Sequence, residues 1–411
     1  MNKRTGVLAL LCGVSAITFL DRLAIAVAEP GIRSDLKLSP EQWGWVLSAY
    51  VFSNALFEIP SGARGDKKGQ RSELTRIVVW WSAFTAATAW CRSFLQMVSA
   101  RFLFGLGTAG AYPNASGVIG RWFPKQEHAR AQGFLWAAGR LGAALAPLLL
   151  VPMERRWGWH SIFWAMGTTG AVWAVIWWLW FRSSPEEMPG ISVDELAEIR
   201  AGRVTHELQN KIPWAKLLRL PQIWLIVAAY FCYAWGSWFF FGWFTTWMVQ
   251  GAGFTLAQMG VFASFPFVLA MFGNLFGGVL AQWLGEQVGR PRAYRIITSS
   301  SLVVGAGLLL AMSIVRGHVE IVVLATAAFG VMDLMLPSAW AMCMDIGGRV
   351  GGTATGVMNT AGNLGGWVCA LLFGYVVQDT RSYNLPLRVV ASMVLIAALL
   401  FSQVKSEQGL R

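Results

Sequence analysis

Gly62-Ala63-Arg64-Gly65-Asp66-Lys67-Lys68-Gly69-Gln70-Arg71 is a short basic loop between two apolar runs, 42–63 and 74–93. Roughly 20 apolar residues cross a bilayer, so the loop joins two spans that turn straight back. Its glycines permit a tight turn between helices. Asp66 stands among Arg64, Lys67, Lys68 and Arg71. Its carboxylate suits the N-terminus of a neighbouring helix, where the dipole favours negative charge. Such a contact is a latch that can break and reform, which makes Gly62, Asp66 and Gly69 candidate gating residues. The equivalent place in the second half, from Gly278 to Gly285, has Gln282 where the first has Asp66. A second latch of the same kind is therefore not expected.

The rest of the chain extends this pattern. It has 411 residues, of which 55% are hydrophobic and 13% charged. A soluble domain carries roughly 25% charged residues, so an all-α integral membrane protein is expected. Twelve apolar runs are readable: 6–28, 42–63, 74–93, 95–120, 128–151, 158–181, 222–249, 255–284, 293–314, 319–345, 352–377 and 385–404. The one long polar stretch, Arg182 to Leu220, separates six runs from six. The expected organisation is an N-terminal half over 1–181, a cytoplasmic linker over 182–220 and a C-terminal half over 221–411. A solvated linker with a short amphipathic helix near Val193–Val204 is expected. Two similar halves with a site near the midplane are a common plan for secondary transporters.

Charge sets the orientation. Net charge is +12, but the bases do not form a nucleic-acid patch. Most, such as Lys67, Lys68, Arg71, Arg290, Arg292 and Arg295, fall in short loops on the side of the N-terminus. Few, among them Arg33, Lys37, Arg92, Arg155 and Arg156, fall on the other. This bias places both termini in the cytoplasm, in the inner (plasma) membrane of a cell. Lys3-Arg4 ahead of an apolar run resembles a signal peptide, but the run is long enough to span and reads as a retained first helix. The cysteines are dispersed through apolar segments and the four His residues lie near segment ends. No metal, no cofactor, no nucleic-acid partner and a monomer are expected.

Charges inside the runs carry the functional reading, because a buried charge in lipid is costly and usually used. Asp21-Arg22 lies late in the first run, Arg101 in the fourth and Arg140 in the fifth. Three permanent positive charges make a cavity suited to an anion, and the guanidinium fork matches a carboxylate. A structural pairing of Arg140 with Glu58 or Asp333 is the alternative. Tyr233 and Ser237 offer polar tips on a common face, and Asn359 and Asn363 share a helical face.

Several motifs together carry a resemblance. They are the Gly62–Arg71 loop, Asp21-Arg22, Arg121-Trp122-Phe123-Pro124-Lys125-Gln126-Glu127, Met344-Asp345-Ile346-Gly347-Gly348, Gly356 to Asn359 and Gly362-Asn363-Leu364-Gly365-Gly366. The loop resembles the signature loop of the major facilitator superfamily. The set resembles the anion:cation symporter family, from about Phe19 to Tyr375. The resemblance implies transport of a small organic anion, a sugar acid such as a hexonate or hexuronate, with proton coupling. It implies substrate contact by Arg22, Tyr50, Arg101, Arg140, Tyr233 and Asn359, and proton coupling through Asp21. One position departs. Seven residues after Arg101 the family has Glu, and this chain has Thr108. Thr cannot titrate, so Glu58 and Asp333 become candidate substitutes, and a proton-independent facilitator or anion exchanger stays open. A membrane enzyme or transporter-like sensor is remote. The spans hold no nucleophile–base set, and Gly62–Arg71 lacks the order of a phosphate-binding loop.

Overall fold

The computed structural model describes residues 2–38, 40–201 and 212–410. Among them the chain is helical nearly throughout. In order, the helices are α1 (Lys3–Val27), α2 (Glu29–Leu36), α3 (Pro40–Lys68), α4 (Gln70–Thr88), α5 (Phe94–Thr108), α6 (Ala111–Trp122), α7 (His128–Trp157), α8 (Trp159–Trp180), α9 (Val193–Ala201) and α10 (Trp214–Leu218). After these come α11 (Pro221–Trp238), α12 (Phe244–Thr246, between two π-helical turns), α13 (Leu256–Phe262), α14 (Phe265–Val288), α15 (Arg290–Met312), α16 (His318–Asp333), α17 (Met335–Gly347), α18 (Gly351–Thr380) and α19 (Asn384–Gln403). All twelve apolar runs are helical over most of their length. Among the described residues, eight helical stretches are long and apolar enough by themselves to cross a membrane. The helix α4 falls short because it carries Arg71, Glu73 and Arg76, and α5 because it is only 15 residues long.

The run 95–120 is not one helix: Arg101, Gly105 and Thr108 share α5, while Tyr112 lies on α6. It breaks after Thr108, where Ala109 is extended and Gly110 takes φ +82°. Only glycine adopts that conformation without strain. Tyr112 consequently opens a new helix.

The chain forms two compact units. The first comprises Met1–Lys125, Ala138–Ile212 and Arg349–Gly356; the second comprises Gln126–Ala137, Pro213–Gly348 and Val357–Arg411. In the first unit, α3 packs on α5 and α4 on α5 and α8. Small residues make this possible, as membrane helix packing requires. A Cβ at Gly105 would lie 2.5 Å from the Tyr50 carbonyl oxygen, and one at Gly167 would lie 2.8 Å from that of Ser82. In the second unit α14 packs on α16, and α15 on α16 and α19. There a Cβ at Gly277 would meet the Leu334 carbonyl oxygen at 2.2 Å.

The start of the linker is not a loose solvated connector. Glu195 on α9 is buried, and its two oxygens accept from the backbone N–H groups of Lys3 (3.1 Å) and Arg4 (2.8 Å). One carboxylate thus answers two of the donors that the first turn of α1 leaves open. The Arg4 guanidinium closes the contact on Glu198 at 2.6 Å, and Ile199 is fully buried beside it. The helix spans Val193–Ala201; positions 202–204 of the expected segment lie outside the described residues. Replacing Glu195 by Ala is expected to destabilise the protein by about 1–3 kcal/mol, because two buried N–H groups lose their acceptor. Thermal unfolding of the detergent-purified variant measures this, and an unchanged midpoint would show that the docked linker is not holding α1.

Candidate functional site

Consecutive residues on a helix point about 100° apart, and this separates the two charges of α1. Arg22 is half-buried in an aromatic enclosure. Its guanidinium carbon lies 5.3 Å from the Phe19 ring centroid, 5.8 Å from Tyr50 and 5.9 Å from Tyr112. The negative ring faces stabilise the cation where water cannot. Arg140 reaches the same place from α7, with its guanidinium carbon 5.6 Å from the Phe19 centroid. Two glycines allow that approach. A Cβ at Gly139 would lie 2.7 Å from Phe19, and one at Gly142 would lie 2.3 Å from the Ala16 carbonyl oxygen. The Tyr112 and Ser15 hydroxyls are bonded at 2.8 Å and complete the enclosure. Phe19, Tyr112 and Ser15 carry no charge and stood out from no pattern in the sequence.

Asp21 turns the other way, and so does Arg101. Asp21 is 2% exposed, with Trp81 of α4 and Arg101 of α5 acting on its carboxyl. Arg101, also 2% exposed, donates from Nη2 to Thr88 Oγ1 at 2.7 Å and lies over the rings of Phe104 and Phe163. Phe104 stands between it and Tyr50, its ring 5.5 Å from the tyrosine ring. The structure therefore groups Arg22, Arg140 and Tyr50, and sets Arg101 behind them with Asp21.

Thr108 lies two turns after Arg101 on the same helix, and its hydroxyl is taken up by other partners. Its hydroxyl accepts from Asn54 Nδ2 at 3.0 Å and donates to the Gly105 carbonyl oxygen at 3.1 Å. Tyr50, Asn54 and Glu58 fall four residues apart on α3 and share a face. Glu58 is buried there, close enough for its charge to act on Tyr50.

In the second unit Asp333 is fully buried at the end of α16. It accepts from the Tyr233 hydroxyl on Oδ1 and from Asn274 Nδ2 on Oδ2, both at 2.9 Å. Tyr230 accepts from Trp340 Nε1 at 3.1 Å, and the Trp136 ring lies 5.2 Å from that of Trp340. Asn359 and Asn363 are half-buried on α18. The sequence points to Tyr233 and Asp333 separately and carries no sign of Asn274 or Trp340.

The Gly62–Arg71 loop folds as a one-residue turn. Gly69, at φ +88°, separates α3 from α4. Asp66 is buried, and its Oδ2 accepts from the Thr353 backbone N–H and hydroxyl, both at 2.7 Å. Thr353 lies in the first turn of α18, so the carboxylate meets open N–H groups and the positive end of a helix dipole. Gly62 admits the same turn, since a Cβ there would meet the Gly352 carbonyl oxygen at 2.7 Å. Burial raises the Asp66 carboxyl from the usual 3.8 to about 6, against the opposing pull of the two Thr353 donors and the Arg121 charge.

The chain matches the Major Facilitator Superfamily over residues 11–370, and it belongs to that family. It is 30% identical to the probable sulfoacetate transporter SauU of Cupriavidus necator, over 97% of this chain and 93% of that protein. It is 27% identical to the probable galactarate/D-glucarate transporter GudP of Escherichia coli, over 97% and 92% respectively. Among solved structures, the proton:xylose symporter XylE superposes with a TM-score of 0.78 at 13% identity, covering 99% of this chain and 97% of that one. The fucose transporter FucP in its outward conformation gives 0.75 at 15% identity, covering 96% and 98%. The fold is that of the major facilitator transporters. The protein is a multi-pass membrane protein of a transporter family, not an enzyme, and its relatives carry organic anions.

The raised Asp66 carboxyl gives a pH dependence with a fixed sign. The folded state binds this proton more tightly than the unfolded chain does. Asp66 therefore makes stability fall as pH rises from about 4 to about 6, with no further change above that. Asp66→Asn is expected to remove this component of the thermal midpoint's pH profile. Asp66→Ala is expected to lower the midpoint at every pH, because Thr353 loses its acceptor. A profile identical in wild type and Asp66→Asn would refute the assignment.

Proposed function

We propose that the protein is a secondary transporter that moves a small organic dianion by alternating access, coupled to protons. The observation that carries this is the pair of guanidiniums, Arg22 and Arg140, both within 6 Å of the Phe19 ring centroid, at 5.3 and 5.6 Å. Two permanent charges about one ring favour a ligand with two anionic groups over one with a single group. The relatives support the same class. Sulfoacetate carries a carboxylate and a sulfonate, and glucarate carries two carboxylates, whereas a hexonate or hexuronate carries one. Tyr50, Tyr233 and Asn359 are further candidate contacts for hydroxyls or the anion's edges. Asp21 is the proton carrier in this reading, with Glu58 and Asp333 as further buried acids. The Asp66–Thr353 contact would serve as the latch of the gating loop, with Gly62 and Gly69 shaping its turn. The halves 1–181 and 221–411 about a cytoplasmic linker, both termini in the cytoplasm, the inner membrane and a monomeric state complete the reading.

A second reading has its own observation. The Thr108 hydroxyl is bonded to Asn54 and cannot exchange a proton as an acid would. A proton-independent facilitator or anion exchanger would need no acid there.

Uptake into proteoliposomes separates these readings. Saturable uptake of sulfoacetate or glucarate, stronger than that of galactonate or glucuronate, is expected. Acid outside should drive accumulation; uptake indifferent to the pH gradient would favour the exchanger. Arg140→Ala should weaken apparent affinity about tenfold to hundredfold, the loss of one charge-assisted contact. Arg22→Lys should weaken it as well, since the point charge lacks the planar fork. Equal uptake of mono- and dianions would defeat the two-arginine argument. No saturable uptake of any of the four would defeat the transport reading.

A further inference from the structure

Asp21 and Arg101 are opposite charges that act on one another inside the first unit. Both are 2% exposed. Even so, they are not hydrogen-bonded to each other. Neither oxygen of Asp21 has a protein partner, and Arg101 uses Nη2 on Thr88 while its Nε is unpaired. Trp81, on α4, brings its indole N–H beside the Asp21 carboxylate but falls short of a hydrogen bond, and that N–H too is unpaired. Buried polar groups are normally satisfied. Here unpaired donors and acceptors of both kinds converge.

Thr85 adds an independent observation. A buried helical threonine ordinarily turns its hydroxyl back to the carbonyl four residues earlier. Thr18, Thr88 and Thr298 do so, at 2.7 to 2.8 Å. Thr85 does not: it is 1% exposed and its Oγ1 has no partner. Trp81, Thr85 and Thr88 share one face of α4. Thr85 therefore lies between the indole beside Asp21 and the hydroxyl bonded to Arg101. Ser82, 4% exposed, is likewise unpaired, pressed by Gly170 of α8, where a Cβ would lie 2.2 Å from its Oγ.

We propose that Trp81, Thr85 and Arg101 form an internal hydration site for the Asp21 carboxyl, in which enclosed water bridges the acid to the arginine. Water is the ligand these groups call for, because it donates to the carboxylate and accepts from the indole and guanidinium N–H groups. A bare cation would meet two N–H donors and the Arg101 charge. Asp21 then gains and loses its proton against this site, away from the enclosure that holds Arg22. Thr85 and Trp81 are positioning residues. The other ionisable groups in reach are Arg22 beside Asp21, Cys91, whose thiol lies near Arg101, and Tyr50, which feels both arginines. The inference rests on the transport reading for its use, not for its existence.

Infrared difference spectroscopy of the full-length protein in nanodiscs, stepped in pH, tests it without any substrate. Asp21→Asn identifies the Asp21 carboxyl band. In Thr85→Val, which keeps the shape, the midpoint of that band is expected to move by about one pH unit. A water band that shifts in H2(18)O is expected to vanish with it, and Thr85→Ser should restore both. An unmoved midpoint and water band in Thr85→Val overturn the proposal, as does a carboxyl that does not titrate. So does a band shift on exchanging sodium for choline that matches the Thr85→Val effect, since the ligand is then a cation. Loss of anion uptake with the Thr85 dependence intact removes the transport reading alone. Proton-driven uptake with no Thr85 dependence removes the hydration site alone.

Discussion

Hydrocarbon offers a charge nothing, so every charged side chain inside a membrane run has to be answered by the protein or by water that it encloses. The organisation of the first unit follows from that constraint. Arg22 is answered by three aromatic rings and Arg101 by a threonine hydroxyl and two phenylalanine faces. Those partners sit on α1, α3, α4, α5, α6 and α8, so placing two guanidiniums fixes how six helices meet. Glycines at 105, 139, 142 and 167 let the backbones approach closely enough for the contacts to form.

The same constraint separates two kinds of buried charge. Arg22 and Arg140 lie about a single ring, where their field adds. An anion with two charged groups is the ligand that such a field favours. Asp21 and Arg101 lie deeper, in an environment of opposite charge and small polar groups. One neighbourhood suits binding and the other suits exchange of a proton. Two adjacent residues of α1 feed both because a helix turns by about 100° per residue.

Asp66 solves a related problem at the membrane edge. A buried carboxylate is costly unless donors meet it. The first turn of α18 supplies them, because its leading N–H groups have no partner within their own helix. Glu195 does the same for the first turn of α1. Two helix starts are thus capped by carboxylates from distant parts of the chain, and neither pairing has a local signature.

The sequence by itself determined the membrane class, the helical runs, the charges that had to matter and the turn at Gly62–Arg71. These depend on hydropathy, on chain length against bilayer thickness and on glycine chemistry, all local quantities. Only the tertiary structure decided which way each charge faces. The sequence grouped Arg22, Arg101 and Arg140 as one cavity; packing put Arg101 behind Phe104 with Asp21. It treated 95–120 as one helix, whereas Gly110 breaks it and re-aims Tyr112. It could not find Phe19, Asn54 or Asn274, because uncharged residues in an apolar run carry no sign of their partners. Those partners are many residues away in sequence, and the close packing of helix on helix, not any pattern along the chain, selects them.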